Sequence, residues 1–276
     1  MKKLPLYQII IRSLPYGRSM AARAIGIMTG QSVRAVVNDA YYRLDLGEVI
    51  QRMMFLDSYE PTETEWFKEC VTTGDIVVDV GSNFGYYTTL GSLLVGRTGR
   101  VFAFEPSPVA CQVLDDMIRD SHIENVVLTK AAVGKANGSV DLFLPTTSHL
   151  HSPSILKSDP TFMPHKIAVV ALDAFEPLSD VDYIKLMKID VEGYEPDVLD
   201  GMEKILRAKK VKNIFCEFNS WWLARNSTTS KILLERFFDF GYVVNKRTEL
   251  QMNLVGHQGA RFDLQDIWFK HPLSAR

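Results

Sequence analysis

The sequence predicts an α/β protein built on a doubly wound sheet, because from Ile76 onward short apolar runs alternate with amphipathic stretches of helical spacing. Two further observations agree. A glycine turn, within VVDVGSNFGYYT at Val77 to Thr88, sits where the first apolar run leaves the core, and carboxylates stand in or at the ends of four runs, at Asp79, Glu105, Asp190 and Glu217. In open α/β sheets ligands bind beyond the carboxyl ends of the strands, so these four should converge on one rim. Strands are expected near 76–80, 100–104, 125–129, 183–190, 211–217, 241–246 and 264–270, with helices near 85–95, 107–121, 195–209 and 228–239.

Ahead of this unit, residues 1 to about 30 read as one basic amphipathic helix, with Lys2, Lys3, Arg12, Arg18 and Arg23 among Leu, Ile and Met. It is expected to pack on the domain rather than to lie on a membrane surface. Val33 to Leu46 reads as a hairpin turning at Asn38 and Asp39, and Ser58 to Cys70 as a helix with a T-x-T-E pattern, Thr62 to Glu65, near its start. The boundary expected is an N-terminal helix and hairpin extension over 1–70 and one larger domain over 71–276. Between Gly138 and Ala174 the alternation lapses into a hairpin, Ser139 to Leu144 and Ile167 to Leu172, around a loop rich in Ser, Pro and His. Long loops inside compact domains commonly serve function.

Composition narrows the partners. With 31 Lys and Arg against 33 Asp and Glu, the net charge of −2 gives no reason to expect nucleic acid. Cys70, Cys111 and Cys216 show no C-x-x-C pairing, which argues against a disulfide framework or a zinc site and for a reducing compartment. The apolar run Leu4 to Ile11 contains Pro5 and Gln8 and is too short to span a bilayer. Membrane association is therefore not expected, and the cytoplasm is the expected location.

The glycine turn separates two ligand classes. A dinucleotide fingerprint needs G-x-G-x-x-G, but those positions hold Gly81, Asn83 and Tyr86. Asp79 would also repel a diphosphate, by several kcal/mol at roughly 5 Å and intermediate dielectric. It suits instead the ammonium of S-adenosylmethionine (SAM), which also carries a cationic sulfonium. Glu105, after the second run, is placed to accept hydrogen bonds from ribose hydroxyls, and YIKLMKIDVEGYE at Tyr183 to Glu195 crowds Lys188, Asp190, Glu192 and Glu195 where another run leaves the core.

DVGSNFG at Asp79 to Gly85, FEPSP at Phe104 to Pro108, AAVG at Ala131 to Gly134, LMKIDVEGYEPDVLDG at Leu186 to Gly201 and SYEPTE at Ser58 to Glu63 together resemble the FkbM-type SAM-dependent methyltransferases, from about Leu44 to Glu217. One departure is Ser82, where alanine is common in such loops. The resemblance implies a Rossmann-like class I methyltransferase fold with its last strand antiparallel, and methyl transfer to a hydroxyl oxygen of a sugar or natural product. Gly81, Ser82, Asn83 and Gly85 are then expected around the methionine end of SAM with Asp79, Glu105 at the ribose, Ala131 and Ala132 at the adenine edge, and Tyr59 and Glu60 closing over the carboxylate and ammonium.

An alcohol acceptor must lose a proton, for which Asp190 or Glu217 is favoured by position and His149 or His151 is a loop-borne alternative; Lys188 would orient Asp190 or stabilise alkoxide charge. Asp190 and Glu192 alone do not define an octahedral oxygen site, so no metal is expected. The acceptor, a small molecule, glycan or natural product, is expected between the loop from Pro145 to His165 and the segment from Phe218 to Asn226, which carries Trp221 and Trp222. Two competing readings are an NAD-dependent oxidoreductase or epimerase and a catalytically inactive SAM-fold binding protein.

Overall fold

The first thirty residues form two helices where one is expected, because Pro15 holds Leu14 extended (ψ 129°) and Gly17 turns the chain at φ +70°. In this computed structural model, which describes residues 2–29, 32–144, 154–156, 162–248 and 265–272, they are α1 (Leu6–Ser13) and α2 (Arg18–Thr29). The hairpin follows as β1 (Val33–Val37) and β2 (Ala40–Leu44), closed by Asn38 and Asp39 at φ 49° and 61°. Two left-handed turn residues give the primed geometry that matches strand twist. Next comes α3 (Val49–Phe55), which the sequence reading does not foresee, and then α4 (Pro61–Cys70). Its N-cap is Glu60, left-handed at φ 39°, with Pro61 opening the helix, so Thr62 lies inside the first turn and is not the cap.

The alternating unit runs β3 (Ile76–Val80), α5 (Tyr86–Val95), β4 (Arg100–Phe104), α6 (Pro108–Ser121), β5 (Val126–Thr129), then the excursion β6 (Ala132–Val133), β7 (Gly138–Leu144) and β8 (Met163–Val170). It resumes with β9 (Ile184–Ile189), α7 (Glu195–Asp200), α8 (Glu203–Arg207), β10 (Val211–Phe218), α9 (Ser220–Arg225), α10 (Ser230–Asp239), β11 (Val243–Val244) and β12 (Gln265–Lys270). The helix expected over 195–209 is broken at Gly201. A Cβ there would lie 1.9 Å from the Gly134 carbonyl oxygen, so the bend brings α7 onto the AAVG segment.

Among the described residues the main sheet has the order β11-β12-β10-β9-β3-β4-β5, parallel except for β12, which is antiparallel to both neighbours. Each strand feeds both faces. On β3, Val77 joins a cluster with Tyr42, Phe55, Trp66, Phe67 and Leu90, whereas Val78 and Val80 join one with Met187, Leu199, Leu206 and Phe237. The period-2 alternation puts Asp79 on the first face, level with Lys188 on β9. β6, β7 and β8 form a separate small sheet; the loop between β7 and β8, with His149 and His151, lies largely outside the described residues.

Candidate active site

The two charged motifs touch where β3 and β9 leave the sheet. Asp190 N–H donates to the Val80 carbonyl at 3.0 Å, and a Cβ on Gly81 (φ +82°) would sit 1.8 Å from the Asp190 carbonyl oxygen. Only glycine permits that approach at that φ. The turn is then lashed to β4: Gly81 N–H and Ser82 N–H both donate to the Phe104 carbonyl at 3.0 Å, and Asn83 N–H, left-handed at φ 48°, donates to Glu105 Oε2 at 2.7 Å. Gly85 opens α5 at φ +83° with its carbonyl accepting from the Tyr42 hydroxyl.

This framework buries charge. Asp79 is 1% exposed and accepts from Thr88 Oγ1 at 2.6 Å; burial pushes its carboxyl up to about 6, against the lowering pull of Thr88 and Lys188. Glu105, held by Asn83 N–H and by Ser107 N–H at 2.7 Å, is raised by burial to about 7. Lys188 is 2% exposed, pairs with Asp190 Oδ2 at 2.7 Å and lies 4.9 Å from the centre of the Tyr87 ring. Burial would lower its pKa, but Asp190, Asp266 and Glu60 together hold it well above the ordinary range. Tyr87 in turn donates to Glu60 Oε2 at 2.7 Å.

A shallow cleft opens here, with Tyr59, Asp79, Gly81, Ser82, Asn83, Lys188 and Asp190 in its lining. Seven expected residues are thus brought together. Glu105 stands one hydrogen bond behind Asn83, Glu60 one behind Tyr87, and Gly85 at the helix entry. Ala131 and Ala132 are buried beyond β5, outside this lining. The sequence reading missed the rest of the wall, Ile50 and Met54 from α3 with Phe84, Tyr86 and Tyr87. The apolar run VIQRMMFL at Val49 to Leu56 was the available signal for α3.

Glu217 stands apart, on β10 directly opposite Asp266 of β12 and on the same sheet face as Lys188. Like charges opposed across strands repel, and one buried oxygen of each, Glu217 Oε2 and Asp266 Oδ1, has no hydrogen-bond partner among the described residues. Burial, then neighbouring carboxylates, raises Glu217 well above the carboxylate range; burial raises Asp266 to about 7 although Lys188 opposes it. Glu195 does not face the rim: it is 1% exposed, accepts N–H bonds from Val191 and Gly193 at 3.2 Å, and burial raises it to about 8. The tryptophans divide. Trp222 is buried against Gly193, where a Cβ would meet it at 2.7 Å, while Trp221 is half exposed with Arg225 over its ring.

These residues fit SAM. A glycine turn too tight for any Cβ, a buried carboxylate beneath it and a second carboxylate ending the neighbouring strand form an anionic cradle for a nucleoside bearing positive charge. With the β11-β12-β10-β9-β3-β4-β5 order, they define a class I SAM-dependent methyltransferase. Residues 79–244 match the family model for the methyltransferase FkbM domain, and the chain belongs to that family.

Among its relatives is the hexuronic acid methyltransferase AglP of Haloferax volcanii, 27% identical over 135 residues, which cover 49% of this chain and 52% of that protein. The chain thus spans about half the length of the curated relative it matches. Similar solved structures include methyltransferase FkbM from Methylobacillus flagellatus KT (13% identity, 80% of this chain and 52% of that one, TM-score 0.44). Two others are a putative rRNA-methylase from Clostridium thermocellum (13%, 76% and 93%, TM-score 0.48) and Aeropyrum pernix fibrillarin with natively bound SAM (12%, 76% and 73%, TM-score 0.42).

Proposed function

We propose that the chain methylates a hydroxyl oxygen of a sugar or a similarly hydroxylated natural product. The observation that carries this reading is the buried Lys188–Asp190 pair, 2.7 Å apart, in the wall of the cavity that also holds Asp79. An alcohol is a poor nucleophile until its proton is taken, and a carboxylate fixed by a buried ammonium is a positioned acceptor for that proton. The relative that acts on a hexuronic acid supports the choice of acceptor class, and the net charge of −2 favours it over nucleic acid.

When bound, SAM supplies an electrophilic methyl group. Asp79, Gly81, Ser82, Asn83 and Gly85 hold its methionine end in this reading, Glu105 its ribose, and the backbone at Ala131 and Ala132 its adenine edge. Tyr59 and Glu60 close the opposite side, Glu60 through Tyr87. Asp190 takes the acceptor proton and Lys188 orients it. The apolar wall of Ile50, Met54 and Phe84 excludes water from the displacement.

The test is incubation with SAM isotopically labelled in its methyl group and panels of uronic acids, neutral sugars and polyketide alcohols, read by mass spectrometry. Label on oxygen supports the reading. Label on nitrogen or carbon, or no transfer to any panel by protein that binds SAM, refutes it.

A further inference from the structure

The helix α1 turns a mixed side inward, burying Gln8 and Ile11. Gln8 is fully buried and makes three hydrogen bonds, donating to the Val36 and Phe55 carbonyls at 3.1 and 3.2 Å and accepting from Val36 N–H at 2.9 Å. One turn on, Arg12 donates to the Phe55 carbonyl at 2.7 Å. Three other aliphatic residues of the helix are turned out: Leu6, Ile9 and Ile10 are 73%, 48% and 53% exposed. In α2, which packs against α1, Met20, Ile27 and Met28 are 78%, 71% and 84% exposed, at helical spacing around the exposed Arg23.

With Met20, Ile27 and Met28 beside them, these residues leave an aliphatic surface on α1 and α2 that an apolar partner can cover. Charge says which. Residues 1–38 carry six Lys and Arg and no acidic residue, whereas residues 39–276 carry 25 Lys and Arg against 33 Asp and Glu. Lys3, Arg18, Arg23 and Arg34 are exposed. Aliphatic side chains interleaved with cations, on a molecule whose remainder is acidic, match the interface of an anionic bilayer, which takes up the aliphatic groups and attracts the cations. Among the described residues no helix is long and apolar enough to cross a membrane, so the contact is superficial. We infer that α1 and α2 dock the protein on an anionic lipid surface. Through Arg12 and Gln8 the docked helix is hydrogen-bonded to the end of α3, whose Ile50 and Met54 line the cavity. This inference is independent of the acceptor assigned above.

Co-sedimentation of the full chain with phosphatidylcholine vesicles, with and without about one-third phosphatidylglycerol, tests it. Binding is expected to the anionic vesicles only, and to weaken as salt screens the cations. Two variants change exposed side chains only: I9S/I10S removes aliphatic contact, and R18E/R23E reverses charge at two positions, each of which strengthens attraction roughly fivefold. Losses of at least ~10-fold and ~25-fold respectively, with thermal midpoint and SAM affinity unchanged, support lipid docking. Equal binding to neutral vesicles, no binding to either, or unaltered binding by both variants overturns it. So does a concentration-dependent dimer lost in I9S/I10S without vesicle binding, which would assign the face to a second copy of the chain.

Discussion

Protonation of Asp79 should control affinity for SAM. Its carboxyl, 1% exposed, is raised by burial from 3.8 to about 6, so roughly a tenth is ionised at pH 5 and nearly all at pH 8. If a cationic ligand returns the group to its ordinary 3.8, linkage sets the full contribution of the negative charge at about 100-fold in affinity, or about 3 kcal/mol. The dissociation constant, by calorimetry, should therefore be flat above pH 7 and rise about tenfold at pH 5. Asp79→Asn keeps the shape and the Thr88 contact but not the charge. It should bind about 100-fold more weakly at pH 8 and lose this step in its pH profile. Thr88→Val removes the hydroxyl that lowers the pKa, so it should move the inflection upward. Wild-type affinity constant from pH 5 to 8, together with less than a threefold effect of Asp79→Asn, would refute the electrostatic basis of the site.

For Asp79 and Glu105, whose folded pKa values of about 6 and 7 exceed the ordinary 3.8 and 4.5, the native state holds protons that the unfolded chain has lost; the free protein should lose stability as pH rises from 5 to 8, by about 1.5 kcal/mol for Asp79 and about 2.5 kcal/mol for Glu105, in denaturant titrations. Gly81→Ala must displace the Asp190 carbonyl, which a Cβ would approach to 1.8 Å at φ +82°; a loss of about 2–4 kcal/mol and of measurable SAM binding is expected, from overpacking added to left-handed strain. Lys188→Met strands Asp190 and Asp266 without their buried counter-charge and should cost about 3–5 kcal/mol in urea unfolding, with Lys188→Met/Asp190→Asn recovering part. Glu195→Gln keeps the N–H acceptor for Val191 and Gly193 and abolishes a titration at about 8; by thermal denaturation it should match wild type at pH 5 and exceed it at pH 9.

Strand positions were legible because burial on both faces writes a continuous apolar run, and the glycine turn because two positive-φ positions and a close approach leave no other residue. Asp79, Lys188 and Asp190 were legible as charges where a core is expected. What could not be read was pairing across long sequence separation. Nothing in Gln265 to Lys270 announces that Asp266 sits opposite Glu217, because that register depends on an antiparallel insertion between β10 and β11. Likewise, the role of Glu195 was obscured by its motif: it reads as another rim charge until the turn at Glu192 and Gly193, φ 51° and 90°, folds it back onto backbone N–H groups. The single N-terminal helix failed on Pro15 and Gly17, which were visible. Its orientation was not visible, since amphipathicity identifies two sides of a helix but not which one meets the protein.

The buried charges make the free site electrostatically incomplete. Around Lys188 lie Asp79, Asp190, Glu60 and Asp266, and burial raises Asp79, Glu105 and Asp266 into or near the neutral range. One ammonium does not balance these carboxylates, so in the free protein they hold protons that a cation would displace. Binding of SAM should therefore release protons at pH 6–7. Calorimetry in buffers of different ionisation enthalpy measures that number directly. About half a proton at pH 6, falling toward zero by pH 8, is the value expected from Asp79. Proton uptake instead of release would mean that the carboxylates answer to the acceptor and not to the methyl donor, and would reassign the anionic floor of the cavity.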